Sequence, residues 1–330
     1  MCKPSVFILL ILIVLVACKR PKYLNPPAPN GSFVISDSLL SGVVDNGALL
    51  LTRFKSLPEL KSVINIKYGD VASPSADALP ENSRVQLTYN SRGHRVTSIL
   101  DAGISEADFV RARDGNIWDR LMIGIRSPYG VLNSKDLMRI EHLGRKRPPL
   151  FGKGDVAFYN LAETMVKNIS EDDVIHMSSE ELSEKGYLNT FNHITAQAFM
   201  TSIFSEKLAD FVADIHERRR MPQLVTGTFT EDQLTDLENG PVDNYIDLIN
   251  NEWGQELGKL LRKKYSITRK TQWSPALLAN YLNDIQSYHS WAFQIAFRPF
   301  RPTDEIVIRF AAKINLLMEG LPKLKSYNNS

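Results

Sequence analysis

The spacing of apolar residues changes from alternation to a helical period near residue 104, and this change constrains the fold more than any other feature of the chain. Before it, Val85, Leu87 and Tyr89 alternate with polar residues, and Gly93 supplies a positive-φ position for a turn before a return strand. After it, apolar residues recur every three or four positions. The pattern predicts an α+β protein, in which a small N-terminal β-rich portion precedes a mainly α-helical C-terminal domain.

Shorter segments are assigned by the same reasoning. Further strands are predicted at 33–38, 47–54 and 62–69, where short apolar runs end at turn residues. Ser105 and Asp108 form a capping box that starts the first helix at 106–113. Further helices are predicted near 116–124, 134–144, 155–168, 173–185, 189–204, 205–220, 230–236, 241–264, 274–297 and 304–320, with an interrupted, loop-like stretch at 128–154.

The first eighteen residues read as an export signal. Lys3 precedes an unbroken apolar run of twelve residues at 6–17, which suits a signal peptide because a bilayer span needs roughly 20 residues. Residues 15–18, Leu-Val-Ala-Cys, resemble the bacterial lipobox. That resemblance implies cleavage before Cys18, lipid on its thiol and amino group, and a position in the bacterial cell envelope, facing the periplasm or the exterior. A plain signal peptide and an uncleaved anchor remain alternatives.

Cysteine usage and charge agree with this location. The two cysteines are Cys2 and Cys18, so cleavage and acylation leave no thiol for a disulfide, and the hydrophobic core must stabilise the fold. Loss of Lys3 lowers the formal net charge from +2 to +1, which argues against a nucleic-acid partner. The partner expected is the membrane, through lipid on Cys18, and the N-terminal portion is available for an envelope protein.

These observations divide the chain into six predicted parts. They are a lipoprotein signal peptide (1–17), a Pro-rich tether (18–32), a β-rich N-terminal portion (33–103), a helical connecting region (104–171), an α-helical domain with a polar site (172–322) and a flexible tail (323–330).

The longest predicted helix, 241–264, carries three faces when its residues are placed 100° apart. One is apolar, and a second is predicted to face solvent through Asn244, Glu252, Gln255 and Lys259. The third holds Asp243, Asp247, Asn250, Asn251, Gly254 and Gly258. Asn, Asp and Gly are poor helix formers, so their segregation predicts a polar site. The two glycines predict the close approach of another backbone or of a ligand.

The two longer helices before it contribute histidines. His216 lies within an apolar arc and is predicted to be buried, whereas Glu217 falls at the polar edge of that arc. The helix that holds His193 is apolar almost all round, so its polar side chains need buried partners. The most economical packing turns five side chains toward one another: His193, Gln197, His216, Asp247 and Asn250.

Three sequence blocks between about residues 185 and 262 form a recognisable pattern. They are Asn189, Phe191, His193, Ala198 and Met200, then Ala209, His216 and Glu217, then Asp247, Leu248, Asn250, Asn251, Gly254 and Gly258. The pattern resembles an uncharacterised helical domain family found in bacterial lipoproteins and at the C-termini of polymorphic toxins and repeat-rich surface proteins, with Asn192 where the family has Arg and Ile246 where it has Met. The resemblance implies a functional site and assigns no reaction to it.

One hypothesis is a hydrolase of an envelope substrate such as phospholipid or peptidoglycan. His193, His216 and Asp247 are residue types that hold a divalent metal such as zinc and leave a position for water. Glu217 then acts as a general base or orients a histidine, and Asn250 and Asn251 donate to a developing oxyanion. Without a metal, Asp247 orients one histidine as the base.

Two alternatives remain open. In the first, the protein is a non-enzymatic envelope lipoprotein in which the polar cluster only fixes helix packing. In the second, it is a toxin-like effector, because the family that it resembles is also found at the C-termini of polymorphic toxins.

Overall fold

The computed structural model describes residues 47–69 and 82–320. The predicted signal peptide, the lipid attachment at Cys18, the tether, the strand at 33–38 and the tail at 323–330 lie outside the described residues. Within residues 47–69 and 82–320, no helix is both long enough and apolar enough to span a bilayer.

The described part of the chain forms one small sheet and a large set of helices. The strands are β1 (Ile64–Tyr68), β2 (Arg84–Ser91) and β3 (His94–Asp101), and two 3₁₀ helices lie at Leu51–Arg53 and Pro222–Val225. The helices are α1 (Leu57–Val63), α2 (Glu106–Asp114), α3 (Ile117–Arg126), α4 (Pro128–Leu132), α5 (Ser134–Gly144), α6 (Pro148–Phe151), α7 (Phe158–Asn168), α8 (Glu171–Val174), α9 (Tyr187–Ile203), α10 (Glu206–Arg220), α11 (Glu231–Thr235), α12 (Pro241–Lys264), α13 (Pro275–Phe293) and α14 (Glu305–Glu319). The predicted α+β class is confirmed.

The sheet is antiparallel, in the order β1-β2-β3, and its second hairpin is the one that alternation predicts. Ser91 pairs with His94, so the loop between them has two residues, Arg92 and Gly93, both at positive φ. Two such residues are what a type I′ turn requires, because its twist matches that of the strands. Val85 and its neighbours at every second position are buried against the helices.

Two predicted elements are wrong. Residues 47–54 form an extended stretch and a 3₁₀ turn instead of a strand. The helix predicted at 173–185 stops at Val174, where α8 ends. Serines compete with the helix beyond that point: Ser178 accepts from the Glu181 amide at 3.1 Å, and its own amide donates to the Glu181 carboxylate at 2.9 Å. Such local bonds replace the helical ones and turn the chain toward α9.

Helix α12 runs through the centre of the molecule. Gly240 and Pro241 start it and three basic residues end it, as helix termini favour. Every residue from Pro241 to Gly258 is buried, because α9, α10, α13 and the sheet pack around the helix. The predicted solvent face is therefore wrong at Asn244, Glu252 and Gln255, whereas the Lys259 side chain is 34% exposed. The buried polar groups bond within the protein instead: Gln255, for example, donates to the Gln197 side chain at 3.4 Å.

Helix α12 packs most closely against α9, and the two helix backbones approach each other at the two glycines, Gly254 and Gly258. A Cβ added at Gly254 would lie 2.7 Å from the Ile194 carbonyl oxygen, and one at Gly258 would lie 2.6 Å from the Ala198 carbonyl oxygen. The prediction that another backbone approaches here is confirmed. This contact brings the polar residues on the preceding turns of α12 against α9.

The substitution Gly254→Ala should therefore lower the free energy of unfolding by about 2 kcal/mol, because the added methyl group forces two helix backbones apart. Urea denaturation measures the loss. Gly124→Ala on α3 is the matched control: no atom lies within 4 Å of its added Cβ, so the better helix propensity of Ala should stabilise by up to ~1 kcal/mol. Equal effects at both positions would contradict the close approach.

Candidate metal centre

Three ionisable side chains from three helices meet beside this contact. They are His193 from the middle of α9, Glu217 from the last turn of α10 and Asp247 from α12, and their ligand atoms all lie within 4.8 Å of one another. His193 Nε2 is 3.2 Å from Asp247 Oδ2. The close α9–α12 packing sets this separation, since His193 directly precedes Ile194, which Gly254 contacts, and Asp247 lies about two turns before Gly254.

Hydrogen bonds fix the orientation of two of the three groups. His193 Nδ1 lies 2.9 Å from the Asn251 side-chain oxygen. An amide oxygen only accepts, so Nδ1 carries the proton and Nε2 is directed at Asp247. Asn189 donates to the other Asp247 oxygen, Oδ1, at 2.9 Å. Such outer contacts are the ones that orient metal-binding imidazoles and carboxylates in proteins.

Glu217 differs from the other two because nothing hydrogen-bonds to it. Its side chain is 0% exposed, and in the part of the chain that the structure describes neither carboxylate oxygen has a hydrogen-bond partner. Burial, and then repulsion from Asp247, raise the pKa of Glu217 well above its ordinary value. A buried carboxylate without a partner is costly, so this group either keeps a proton or faces a cation.

The neighbouring groups also hold their protons. Burial lowers the pKa of His193, but the Asp247 carboxylate outweighs burial and raises that pKa to about 9. Burial and repulsion from Asp247 raise the pKa of Asp243, one turn before Asp247, to about 8. Arg220 lies 3.7 Å from Asp243. A divalent cation that replaced the protons of His193 and Glu217 would therefore leave no buried charge unbalanced.

The donor set suits a small divalent metal ion. One imidazole nitrogen and two carboxylates balance a double positive charge, and three protein ligands leave a position for water. The 3.2 Å between His193 Nε2 and Asp247 Oδ2 falls within the roughly 3.0–3.4 Å expected between ligands that each lie about 2.1 Å from one ion. His193 is 13% exposed, so this side of the cluster is the one that reaches solvent.

The structure brings together four of the predicted site residues, His193, Glu217, Asp247 and Asn251, and leaves out His216. The His216 side chain is 40% exposed, with Nδ1 3.5 Å from the Glu106 carboxylate. The predictions that His216 is buried and binds the metal, and that Glu217 lies at the margin, are wrong. Two small residues account for the outcome. Ala209 and Ala213 are buried and share a helix face with Glu217 at intervals of four, so α9 and α12 approach α10 on the side where Glu217 lies.

Asn250 also lies outside the centre, which corrects its predicted role as an oxyanion donor. Its side chain accepts from the Leu49 amide at 2.8 Å and donates to the Leu49 carbonyl at 2.9 Å. Thr190 donates to the same carbonyl at 3.1 Å. Asn250 thus holds the N-terminal segment against the helices. Gln197, which was also predicted to face the histidines, bonds to Gln255 instead.

Asp243, Asn189 and Arg220 surround the centre. The sequence placed Asp243 on the polar face of the 241–264 helix, but none of the three was predicted as a catalytic or metal-binding residue. A signal for two of them was present. Asp243 precedes Asp247 by four positions and Asn189 precedes His193 by four, so each shares a helix face with a site residue.

Comparisons of the chain with protein-family models, with curated proteins and with solved structures give no match. The family resemblance drawn from the three sequence blocks therefore stays a prediction.

Proposed function

We propose that this chain is a lipid-anchored protein of the bacterial envelope whose helical domain binds a divalent metal ion at His193, Glu217 and Asp247 and uses it in a hydrolase reaction. The observation that carries the proposal is Glu217: a fully buried carboxyl group, directed at a second carboxylate and an imidazole, with neither oxygen hydrogen-bonded in the described chain. A divalent cation is the partner that satisfies all three groups at once.

The residues around the ion have separate roles. Asn251 keeps the His193 proton on Nδ1, so that Nε2 is the ligand atom. Asn189 holds Asp247 by one oxygen and leaves the other for the ion. A divalent ion bound to three protein ligands lowers the pKa of a coordinated water and so supplies a nucleophile at neutral pH. Asp243 lies one turn from Asp247, and because its pKa is about 8 it holds a proton at pH 7 and is placed to donate it and take it back.

The substrate class follows from location. A protein anchored through Cys18 meets phospholipid and peptidoglycan, and both contain bonds that metal-activated water hydrolyses.

A second function has its own support, namely a structural cluster without a metal. Both ring nitrogens of His193 face acceptors, Asn251 and Asp247, and the raised pKa of Glu217 keeps that carboxyl neutral. An imidazolium, one carboxylate and one neutral acid form a balanced network that fixes the packing of α9, α10 and α12.

Measuring metal binding by the Glu217→Gln variant distinguishes the metal site from the structural cluster. Glutamine keeps the shape and neutral hydrogen-bonding capacity of the side chain, but it lacks the carboxylate that would bind the ion. The purified full chain is stripped with a chelator and titrated with Zn²⁺ and with Mn²⁺, and bound metal is counted by mass spectrometry. We expect one equivalent in the parent and at least about 100-fold weaker binding in Glu217→Gln, as for loss of a direct ligand.

His216→Gln is the matched control, because His216 is the neighbouring residue and points away from the centre. It should bind metal as the parent does. A parent that binds no metal, together with a Glu217→Gln variant of unchanged stability, would overturn the metal site in favour of the structural cluster. Metal-loaded parent that hydrolyses neither phospholipid nor peptidoglycan would overturn the proposed substrates.

A further inference from the structure

His289 is buried on α13 without a hydrogen-bond partner. Its side chain is 0% exposed, and within the described ranges 47–69 and 82–320 neither ring nitrogen is hydrogen-bonded. A neutral imidazole has one N–H donor and one acceptor nitrogen, and burial of both without partners costs free energy. An apolar ring would avoid that cost, so packing alone does not explain a histidine at this position.

Aromatic rings surround the imidazole. It stacks on Phe191 of α9 with ring centroids 4.1 Å apart, and the rings of Tyr288, Phe293 and Phe297 lie 5.9–6.4 Å away. Burial raises the pKa of the Tyr288 phenol well above its ordinary value, so this neighbour stays neutral. Burial lowers the pKa of His289 to about 3, and no charged group among the described residues opposes that shift. An imidazolium here would therefore be a buried charge without a counter-charge from α9, from α13 or from the segment at Phe297.

Residues 47–50, here called the strap, lie against the helices beside this ring stack. The strap is buried although it forms no helix or strand of its own. Side chains satisfy its backbone instead. Asn250 of α12 bonds both the amide and the carbonyl of Leu49, and Thr190 of α9 donates to the same carbonyl.

Helix α13 holds the first residue of the strap. Tyr288 donates to the Gly47 carbonyl. The Trp291 ring packs so closely on Gly47 that a side chain at this position would overlap it. The strap is thus held between α9 and α12 on one side and α13 on the other.

The ring stack joins these two sides. Thr190 directly precedes Phe191 on α9, and Tyr288 directly precedes His289 on α13. Any movement that separates His289 from Phe191 would also draw Tyr288 away from Thr190, and the strap would lose backbone contacts at one end or the other.

We propose that His289 is an acid-sensitive latch: its protonation separates the last turns of α13 from α9 and releases the strap from the helices. His289 lies four residues before Phe293, where α13 ends, and the ends of helices open at a lower free energy than their interiors. Opening gives the imidazolium access to water and removes the cost of its burial. The inference goes beyond the proposed metal chemistry and needs no metal.

The direction of the pH dependence follows from the two states. The pKa of His289 is about 3 in the closed state and returns toward its ordinary value of 6.5 when the ring meets water. The open state therefore takes up the proton first, and the closed state loses stability as the pH falls below 6.5. Between pH 7.5 and pH 4.5 the equilibrium constant for release should rise by about 100-fold, tenfold for each pH unit below 6.5.

Amide hydrogen exchange at the strap measures the release. The Leu49 amide donates to Asn250 at 2.8 Å, so it exchanges when the strap leaves the helices. The purified full chain is compared at pH 7.5 and pH 4.5, with rates corrected for the intrinsic effect of pH on exchange. We expect the protection of the Leu49 amide to fall by about 100-fold at pH 4.5. The Trp253 amide, in the middle of α12, should keep its protection.

Two substitutions at the latch make the test specific. His289→Phe and His289→Leu each place an apolar side chain among the rings and cannot take up a proton, so neither should show the fall at Leu49. Having both guards against one variant that fails to fold. His176→Gln is the matched control, because His176 is exposed before α9 and its loss should leave the acid response as in the parent.

Three results would overturn the latch. The first is a parent whose Leu49 protection is the same at both pH values. The second is an equal fall at Leu49 and Trp253, which would mean unfolding of the whole domain instead of release of the strap. The third is an acid response that persists in the His289 variants, which would assign it to another group.

Discussion

Replacing Asp247 with Asn should lower the free energy of unfolding of the metal-free protein by about 3–5 kcal/mol at pH 7, because it removes the charged partner of a buried imidazolium. Asp247 is 1% exposed and lies 3.2 Å from His193, so water cannot replace the lost carboxylate. Asparagine keeps an oxygen for the Asn189 bond. The loss therefore reports the charge and not the hydrogen bond. Urea denaturation in the presence of a chelator measures it.

The matched control is Asp243→Asn, one turn away on the same face of α12. Both carboxyl groups are buried, but the pKa of Asp243 is raised to about 8, so at pH 7 the folded protein already keeps that carboxyl neutral. This substitution should leave the stability unchanged or raise it, since asparagine avoids the cost of protonating a buried acid. Equal losses for Asp247→Asn and Asp243→Asn would show that the two carboxylates are not differentiated as the geometry indicates.

The hairpin and the start of the first helix were predictable because the signals for them are local. Each of these signals acts within a few residues. Gly93 in a polar turn and the alternation through Val85 and Leu87 predict the hairpin, and the capping box of Ser105 and Asp108 predicts the start of a helix. The structure has both the hairpin and the capped helix. The helix predicted at 173–185 is wrong for an equally local reason, because Ser178 accepts a hydrogen bond from the Glu181 backbone amide in a turn. The helical period there competes with side-chain hydrogen bonds of similar strength.

The centre was only partly predictable because its geometry depends on which neighbour covers each helix face. The third face of α12 was evident from Asp, Asn and Gly alone, and it does meet α9. The choice between His216 and Glu217 was not evident, since adjacent helical residues point 100° apart. Asn250 illustrates the limit further: its partner, Leu49, lies 201 positions away along the chain, and no pattern within α12 identifies it.

The metal-free protein should lose stability as the pH rises from 6 to 9. The pKa of His193 is 6.5 in an unfolded chain and about 9 in the fold, so its contribution is complete below pH 6.5 and disappears as the pH rises through 9. The difference corresponds to about 3 kcal/mol, at 1.36 kcal/mol per pH unit. Asp243, with a pKa raised from 3.8 to about 8, acts in the same direction, because the folded state again binds more protons than the unfolded state.

Urea denaturation of chelator-treated protein at pH 6 and at pH 9 measures this loss. His193→Gln should reduce it by about 3 kcal/mol, whereas His216→Gln, with its side chain 40% exposed, should behave as the parent. A parent whose stability rises over the same interval would contradict the assigned protonation states. Protons and a metal ion compete for His193 and Glu217. A divalent ion would have to displace these protons, so its affinity should increase with pH. Saturating metal should therefore cancel or reverse the loss of stability between pH 6 and pH 9, because the ion would bind and stabilise the cluster most strongly at high pH, where the protons are gone.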